Sequence, residues 1–157
     1  MDADLRTLDV LATAVASGKL ADAHATELLH ALTRPLMRDA ILAAAVGRLD
    51  DARALASGRR VDARWLTAGP LDPSAIEAAR PVVAQLEAAA LGAGEQYQWP
   101  VTTILGYLDW ATGRTLAAAT RLRRVPPSYA MATMLKEAIA HPFIPAPRLL
   151  ALVGSPR

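Results

Sequence analysis

The sequence predicts an all-α fold, and three observations support that prediction. Alanine and leucine dominate the 157 residues, while the aromatic residues are only three Trp, three Tyr and one Phe. Apolar residues recur at three- and four-residue steps, which is the stripe of an amphipathic helix. No segment alternates apolar and polar residues, as a half-buried strand would. We therefore expect one compact bundle of about seven to nine short helices of ordinary length, forming a single domain over residues 1–157.

The first fifty residues predict three helices, separated by glycine and proline. Gly18 ends the first helix because glycine tolerates the left-handed conformation, and Asp22 is the predicted N-cap of the second. Pro35 separates the second helix from the third, since proline lacks the amide donor. The predicted helices cover residues 4–15, 22–32 and 36–46.

The middle of the chain has weaker helical patterns. Asp50 or Asp51 is expected to cap a short helix that ends at Gly58, and a turn or two of helix is expected around Trp65. Asp72 followed by proline is the clearest helix start in the sequence. That helix is predicted to reach about residue 91, with Pro81 kinking it or splitting it in two.

The C-terminal third has the strongest helical pattern. A helix from residue 100 to residue 111 carries a continuous apolar face, so we expect it at the centre of the core, with Trp110 buried. Gly106 lies on its other side and permits close contact with a neighbouring helix. Further helices are predicted over residues 116–124, 129–140 (capped by Ser128) and 148–153. The first of these is expected to form a helical hairpin with the preceding helix, through a turn at Gly113, and this hairpin is similar to a tetratricopeptide unit.

Composition excludes several classes of protein. Hydrophobic residues make up 53% of the chain and charged residues 20%, which is too apolar for an intrinsically disordered chain. The chain has no cysteine, so disulfides, thiolate metal sites and cysteine nucleophiles are excluded. The acidic start is unlike a signal peptide, and no apolar run approaches the length of a membrane span. We expect a cytoplasmic protein with no membrane association.

Charge is distributed unevenly along the chain. Residues 1–50 carry five basic and seven acidic groups, and residues 51–100 carry five basic and six acidic groups. Residues 101–157 carry seven basic and two acidic groups. The C-terminal third is therefore the basic part of the protein. Its helical spacing places Arg114, Arg121 and Arg124 along one edge of a helix, while Arg123 points elsewhere. A second basic group consists of Arg59, Arg60 and Arg64 beside Trp65.

Two stretches of the sequence resemble a known family. The first contains the run Arg38-Asp39-Ala40, and the second contains Leu108-Asp109-Trp110. With their surroundings (residues 16–22, 25–29, 37–42, 108–113, 117–122 and 127–132), they are similar to the C-terminal helical half of the actinobacterial domain-of-unknown-function family 4192. The resemblance covers about half of the chain and consists mostly of helix-packing patterns. It implies a helical fold, and it implies no activity or catalytic residues.

This chain also departs from that family in two ways. Family members carry an additional N-terminal α/β half, which makes this chain either a short relative or a part of a longer protein. The family's usual acidic residue before Pro127 is replaced, because Val125-Pro126 stands there.

Candidate catalytic and metal-binding residues are sparse. Glu27 and His30 have the Glu-x-x-His spacing of a di-iron ligand pair, but a di-iron bundle needs a second pair and two further glutamates. His24 lies six residues from His30, which places the two imidazoles on different helix faces. Asp50-Asp51 is more typical of a helix start than of a paired acid and base. We expect no metal, no cofactor and no enzymatic activity.

The sequence therefore favours an interaction or scaffold module over an enzyme. The expected partner is a protein with an acidic surface, or a second copy of the chain. The candidate partner-binding residues belong to the two basic groups, since arginine binds carboxylates bidentately and stacks on aromatic rings: Arg114, Arg121, Arg124, Arg59, Arg60, Arg64 and Trp65. A nucleic-acid partner is the alternative, because the same arginines could line a phosphate backbone.

Overall fold

The fold is a compact helical bundle, as the sequence predicts. The computed structural model describes residues 2–141 and 143–150, and these residues form nine helices and no strand longer than an isolated bridge. Apart from the four-residue helix Trp65–Ala68, each helix packs on at least one neighbour in the chain, and the buried side chains form one continuous core. The helices are α1 (Ala3–Ser17), α2 (Asp22–Leu32), α3 (Pro35–Ala45), α4 (Leu49–Ala56), α5 (Trp65–Ala68), α6 (Pro73–Leu91), α7 (Glu95–Ala111), α8 (Thr115–Leu122) and α9 (Ala130–Ala140).

The first three helices lie within one or two residues of their predicted bounds. Asp2 caps α1, because its carboxylate accepts a hydrogen bond from the Asp4 amide at 3.1 Å. Gly18 follows α1 with φ 70°, in the left-handed region. The predicted cap Asp22 is wrong: Ala21 occupies the cap position, and Asp22 lies in the first turn of α2. A carboxylate there still stabilises the helix through its dipole.

The predicted caps of α4 and α9 are also wrong. Arg48 precedes α4, and the two acids Asp50 and Asp51 lie inside its first turn. Tyr129 precedes α9 with extended backbone, so Ser128 lies one residue outside the cap position. Since acids also favour the first turn, a pattern of acids near a helix start does not fix the capping residue.

Helix α6 begins as predicted and is not divided. The Asp72 carboxylate accepts hydrogen bonds from the Ser74 and Ala75 amides at 2.9 and 3.4 Å. Of the two effects expected of Pro81, a kink or a split, the split is wrong, because α6 continues through Pro81 to Leu91. Pro81 is exposed, so its ring lies outside the tightly packed side of the helix.

Helix α7 is the central element of the core, as the sequence predicts. Every residue from Pro100 to Ala111 is buried, and α2, α6, α8 and α9 all pack against this helix. Trp110 is 3% exposed, which confirms its predicted burial. The helix starts at Glu95 instead of at Pro100, so its first turn and a half were missed.

A glycine sets the close contact between α7 and α8. A Cβ atom at Gly106 would lie 2.9 Å from Cγ and Cδ2 of Leu122, which is tighter than van der Waals contact. Leu122 is fully buried, so it has little room to move away. Gly106 therefore lets α8 pack directly on α7, and this is the close helix contact that its position predicts.

The end of the described chain is extended instead of helical. Leu149 forms an isolated parallel bridge with Leu71, the Leu71 amide donates to Arg148 O at 2.9 Å, and the Leu150 amide donates to Leu71 O at 2.7 Å. The predicted helix is therefore wrong for residues 148–150, and residues 151–153 lie outside the described residues. Leu71 is fully buried, and this pairing satisfies both of its backbone polar groups.

The buried phenol of Tyr107 makes the free energy of unfolding depend on pH in the alkaline range. Tyr107 is fully buried and donates a hydrogen bond to Leu66 O at 2.9 Å. Burial raises the pKa of Tyr107 above its ordinary value, and the nearby Arg48 guanidinium opposes this in part. The unfolded chain therefore loses this proton first.

We expect this contribution to stability to be present below about pH 10, the pKa of an unfolded tyrosine, and to decline as the pH rises above it. Since one group titrates, the free energy of unfolding should fall by up to about 1.4 kcal/mol for each pH unit in this range. Denaturant titrations of the wild type and of Tyr107→Phe at several alkaline pH values check this. An equally steep decline in the phenylalanine variant would contradict it.

Candidate functional site

The basic group near α5 is exposed except for its tryptophan. Arg59, Arg60 and Arg64 lie on the surface. Arg64 pairs with Asp62, and the hydrogen bonds between them lower the pKa of Asp62 and raise that of Arg64. Trp65 is only 5% exposed. The structure therefore brings no aromatic surface to these arginines.

The ring of Trp65 belongs to the core. Its edge contacts Tyr107, with ring centroids 6.5 Å apart at 89°. The Arg48 guanidinium lies 6.0 Å from the ring centroid and also pairs with Asp51 at 2.7 Å. The predicted contact between Trp65 and a partner is not supported, because the buried ring is not accessible. The arginine that stacks on it comes from the start of α4.

Three arginines lie free around α8. Arg114 precedes the helix, and Arg123 and Arg124 follow it; all three are exposed. None of the ion pairs among residues 2–141 and 143–150 involves any of them. We call Arg114, Arg123 and Arg124 the α8 arginine group. Leu116, one of the most exposed apolar side chains of the described chain at 77%, lies in the same helix.

Arg121 does not belong to that free edge. Its Nε donates to Asp109 Oδ2 at 2.8 Å, and its Nη1 donates to both oxygens of Glu87 at 3.2 and 3.3 Å. The prediction that Arg114, Arg121 and Arg124 form one free edge is therefore wrong for Arg121. Helical spacing places Arg121 on the same side of α8 as Arg114 and Arg124, but its guanidinium is paired with one carboxylate from α6 and one from α7.

A second arginine completes this arrangement from α6. Arg80 Nη1 donates to Asp109 Oδ1, and Nη2 donates to Thr112 Oγ1 at 2.9 Å. Asp109 is 2% exposed, so one buried carboxylate is held between two guanidinium groups. We call Arg80, Glu87, Asp109, Thr112 and Arg121 the polar junction of α6, α7 and α8.

The polar junction is balanced in charge and inward-facing. It contains two guanidinium groups and two carboxylates, and both oxygens of Asp109 accept hydrogen bonds. Buried ion pairs cost desolvation free energy, whereas removal of one partner leaves an uncompensated charge and is strongly destabilising. The junction therefore links α6, α7 and α8 through side-chain contacts.

The sequence contains one sign of this junction, which helical periodicity does not reveal. Asp109 lies between Leu108 and Trp110 in the helix that the sequence places at the centre of the core, and a buried carboxylate requires a partner. The identity of the partners could not be predicted, because Arg80 and Arg121 lie on different helices.

The candidate metal ligands are not brought together. Glu27 accepts a hydrogen bond from Thr7 Oγ1 at 3.1 Å, and the His30 ring contacts the edge of Tyr97 at a centroid distance of 5.4 Å. Asp51 pairs with Arg48, while Asp50 is fully exposed. In the part of the chain that the structure describes, no cluster of three or more His, Asp or Glu could hold a metal ion.

An apolar cleft between helices is a feature that the sequence did not predict. Its volume is about 350 Å³, and α1, α3, α4 and α6 supply its walls. Asp9, Arg53 and Asp72 are the charged residues that line it. We call it the α1–α4 cleft. A second opening of about 390 Å³ adjoins it and contains Asp50 and Asp51.

Comparison of the chain with protein-family models, with curated proteins and with solved structures finds no match. The resemblance to family 4192 therefore stays a prediction. Among the described helices, none combines the length and the apolar character that a membrane span requires.

Proposed function

We propose that this protein is a non-enzymatic helical interaction module that binds an acidic protein surface through the α8 arginine group. The observation that supports the proposal is the contrast between the arginines near α8. Arg121 is paired twice within the fold, whereas Arg114, Arg123 and Arg124 are exposed and pair with no described carboxylate.

Arginine favours this role for physical reasons. Its planar guanidinium binds a carboxylate bidentately and is more weakly hydrated than an ammonium group. The polar junction holds α8 rigidly against α6 and α7, so little conformational entropy is lost when the helix binds. Leu116 adds an exposed apolar side chain to the same helix, which is typical of the mixed composition of interfaces.

Two sources of an acidic surface fit this chemistry. One is a different protein, and the other is a second copy of this chain, whose first fifty residues carry seven acidic and five basic groups. The exposed Arg59 and Arg60 form a second basic surface on the connection between α4 and α5. We place the primary contact at α8 because more unpaired guanidinium groups and an exposed leucine lie there.

Nucleic acid is the alternative partner, because the same three arginines would also neutralise phosphates. A nucleic-acid site gains affinity by releasing counterions, so its binding falls steeply with salt. Among the described residues, Trp99 and Tyr129 contact each other, Tyr97 contacts His30, and Phe143 is the only strongly exposed Trp, Tyr or Phe ring. One such ring is fewer than the successive stacking rings that a single-strand binder uses.

Fluorescence anisotropy separates these partners. We expect a labelled glutamate-rich peptide to bind the wild type, and the double variant Arg114→Glu/Arg124→Glu to bind it about tenfold more weakly, a loss of about 1.4 kcal/mol. The matched control is Arg6→Glu/Lys19→Glu, which changes the net charge equally at exposed positions on α1 and just after it. The control should retain nearly full binding.

Three outcomes would contradict the proposal. Equal losses in both double variants would mean that only net charge matters. Tighter binding of duplex DNA than of the peptide at physiological salt would favour the nucleic-acid alternative. Unchanged binding by the α8 variant would move the interface to Arg59 and Arg60. Sedimentation velocity of the unliganded wild type and of the α8 variant identifies self-association, which the variant should weaken.

A further inference from the structure

Small apolar side chains line most of the α1–α4 cleft. Alanines from four helices line it, and Leu11 and Val15 contribute from α1. Ala12 and Ala16 are exposed on α1 and lie at the mouth. Larger side chains at these positions would fill the space, so the alanines keep the cleft open. Concave, mostly apolar sites between helices are typical places for small ligands.

The size of the cleft limits what fits inside it. A water-sized group occupies about 30 Å³ in a liquid. The volume of about 350 Å³ therefore holds about a dozen such groups, which corresponds to an unbranched chain of about ten methylenes or to a substituted ring.

Acidic groups dominate the mouth of the cleft. Asp9 lines it from α1 and takes part in none of the ion pairs among the described residues. Asp72 uses Oδ1 to cap α6, which leaves its second oxygen free of that role. Among the described residues that line the cleft, Arg53 is the one cation, and it lies 4.0 Å from the exposed Asp50 of α4.

The adjoining opening reinforces this charge. It shares Gly47, Leu49 and Asp72 with the cleft, and it adds Asp50 and Asp51. Its guanidinium, from Arg48, is already paired with Asp51 at 2.7 Å. The described residues that line the two openings carry four carboxylates and two guanidinium groups. This excess of two negative charges would repel an anionic group at the mouth and attract a cation.

We propose that the α1–α4 cleft binds an amphiphilic cation, whose apolar body of about ten carbons fills the cleft and whose ammonium group pairs with Asp9. Asp72, which caps α6, also lines the cleft and supplies a second carboxylate. This site is separate from the α8 arginine group, and its ligand carries the opposite charge to the partner of that group. The two proposals therefore stand or fail independently.

The probe is n-decylammonium, used below its micelle concentration with the isotope-labelled full chain in two-dimensional NMR. We expect saturable amide shift changes confined to α1, α4 and the start of α6. Decanoate has the same length and opposite charge, and it should bind about tenfold more weakly or worse. Butylammonium has the same charge and a short chain, and it should cause no saturable change.

Two variants and a control locate the binding. Asp9→Asn removes the carboxylate without changing the shape of the side chain, and we expect about tenfold weaker binding of n-decylammonium. Ala12→Phe places a ring in the mouth and should abolish binding; Ala12 is exposed, so the variant should fold. Glu137→Gln removes an exposed carboxylate of α9 and should leave binding unchanged.

The proposal is overturned if decanoate binds as well as n-decylammonium, or if the shift changes spread over the whole surface. It is equally overturned if Asp9→Asn binds n-decylammonium like the wild type. If Ala12→Phe fails to fold, the charge comparison and Asp9→Asn still decide the outcome.

Discussion

Asp109→Ala should lower the free energy of unfolding by about 3–5 kcal/mol, the cost of breaking a buried ion pair by removing one partner. The variant leaves the Arg80 and Arg121 guanidinium groups facing each other without the carboxylate that separates them. Arg80 has a side-chain exposure of only 17%, so water cannot compensate its charge fully. Denaturant titration gives the change directly.

The matched control for this variant is Glu77→Ala. Glu77 is also an acidic neighbour of Arg80, at 3.8 Å from Nε, but its side chain is 61% exposed. An exposed pair contributes at most about 1 kcal/mol, so the control should lose little stability. If both alanine variants lost similar amounts, the polar junction would not be the contact that fixes α6, α7 and α8.

Trp110→Ala should cost about 3–5 kcal/mol, since the variant leaves a large cavity in a packed core. The ring is 3% exposed and contacts the edge of Tyr107 at a centroid distance of 6.1 Å. A loss of this size is a large part of the stability of an ordinary domain, about 5–15 kcal/mol. Urea titration followed by far-UV circular dichroism measures it.

Trp99→Ala is the comparison for this variant, because Trp99 lies in the same helix and is half-buried. It contacts Tyr129 at a centroid distance of 6.4 Å. We expect a clearly smaller loss, because part of the ring already faces water. A loss below about 1 kcal/mol in Trp110→Ala would mean that the indole does not pack as the structure places it.

Local sequence signals predicted most of the helices because each depends on residues close in the chain. Gly18 ends α1, and Asp72 with Pro73 starts α6, through contacts within three residues. The bounds of α2 match the prediction at both ends. Capping by side chains was harder to predict, because Asp22 stabilises a helix either as a cap or from its first turn.

Elements that depend on distant contacts were missed. Residues 95–99 precede Pro100 and carry no strong helical signal, yet Tyr97 contacts His30 and Trp99 contacts Tyr129. Tertiary packing therefore extends α7 beyond its local propensity. The extended residues 148–150 follow the same rule, because the backbone of Leu71 fixes them.

The candidate site was predicted in part for the same reason. Arg114 and Arg124 were predicted to lie on an exposed edge, and the structure places both on the surface; Arg123, which was predicted to point elsewhere, is exposed as well. The pairing of Arg121 with Asp109 and Glu87 depends on which helices are neighbours, and one helix's periodicity does not contain that information. The α1–α4 cleft was missed because a cavity is formed by several helices together.

Arg121 of α8 holds the fold, whereas Arg114, Arg123 and Arg124 at the two ends of this helix are free to bind. Thermal denaturation of Arg121→Glu and Arg124→Glu, measured side by side, tests this claim most directly. Arg121→Glu places a carboxylate against Asp109 and Glu87, so a loss of about 3 kcal/mol is expected, which corresponds to a Tm lower by about 6–12 °C. Arg124→Glu changes an exposed charge and should shift Tm by no more than about 2 °C. Equal shifts in the two variants would contradict the claim.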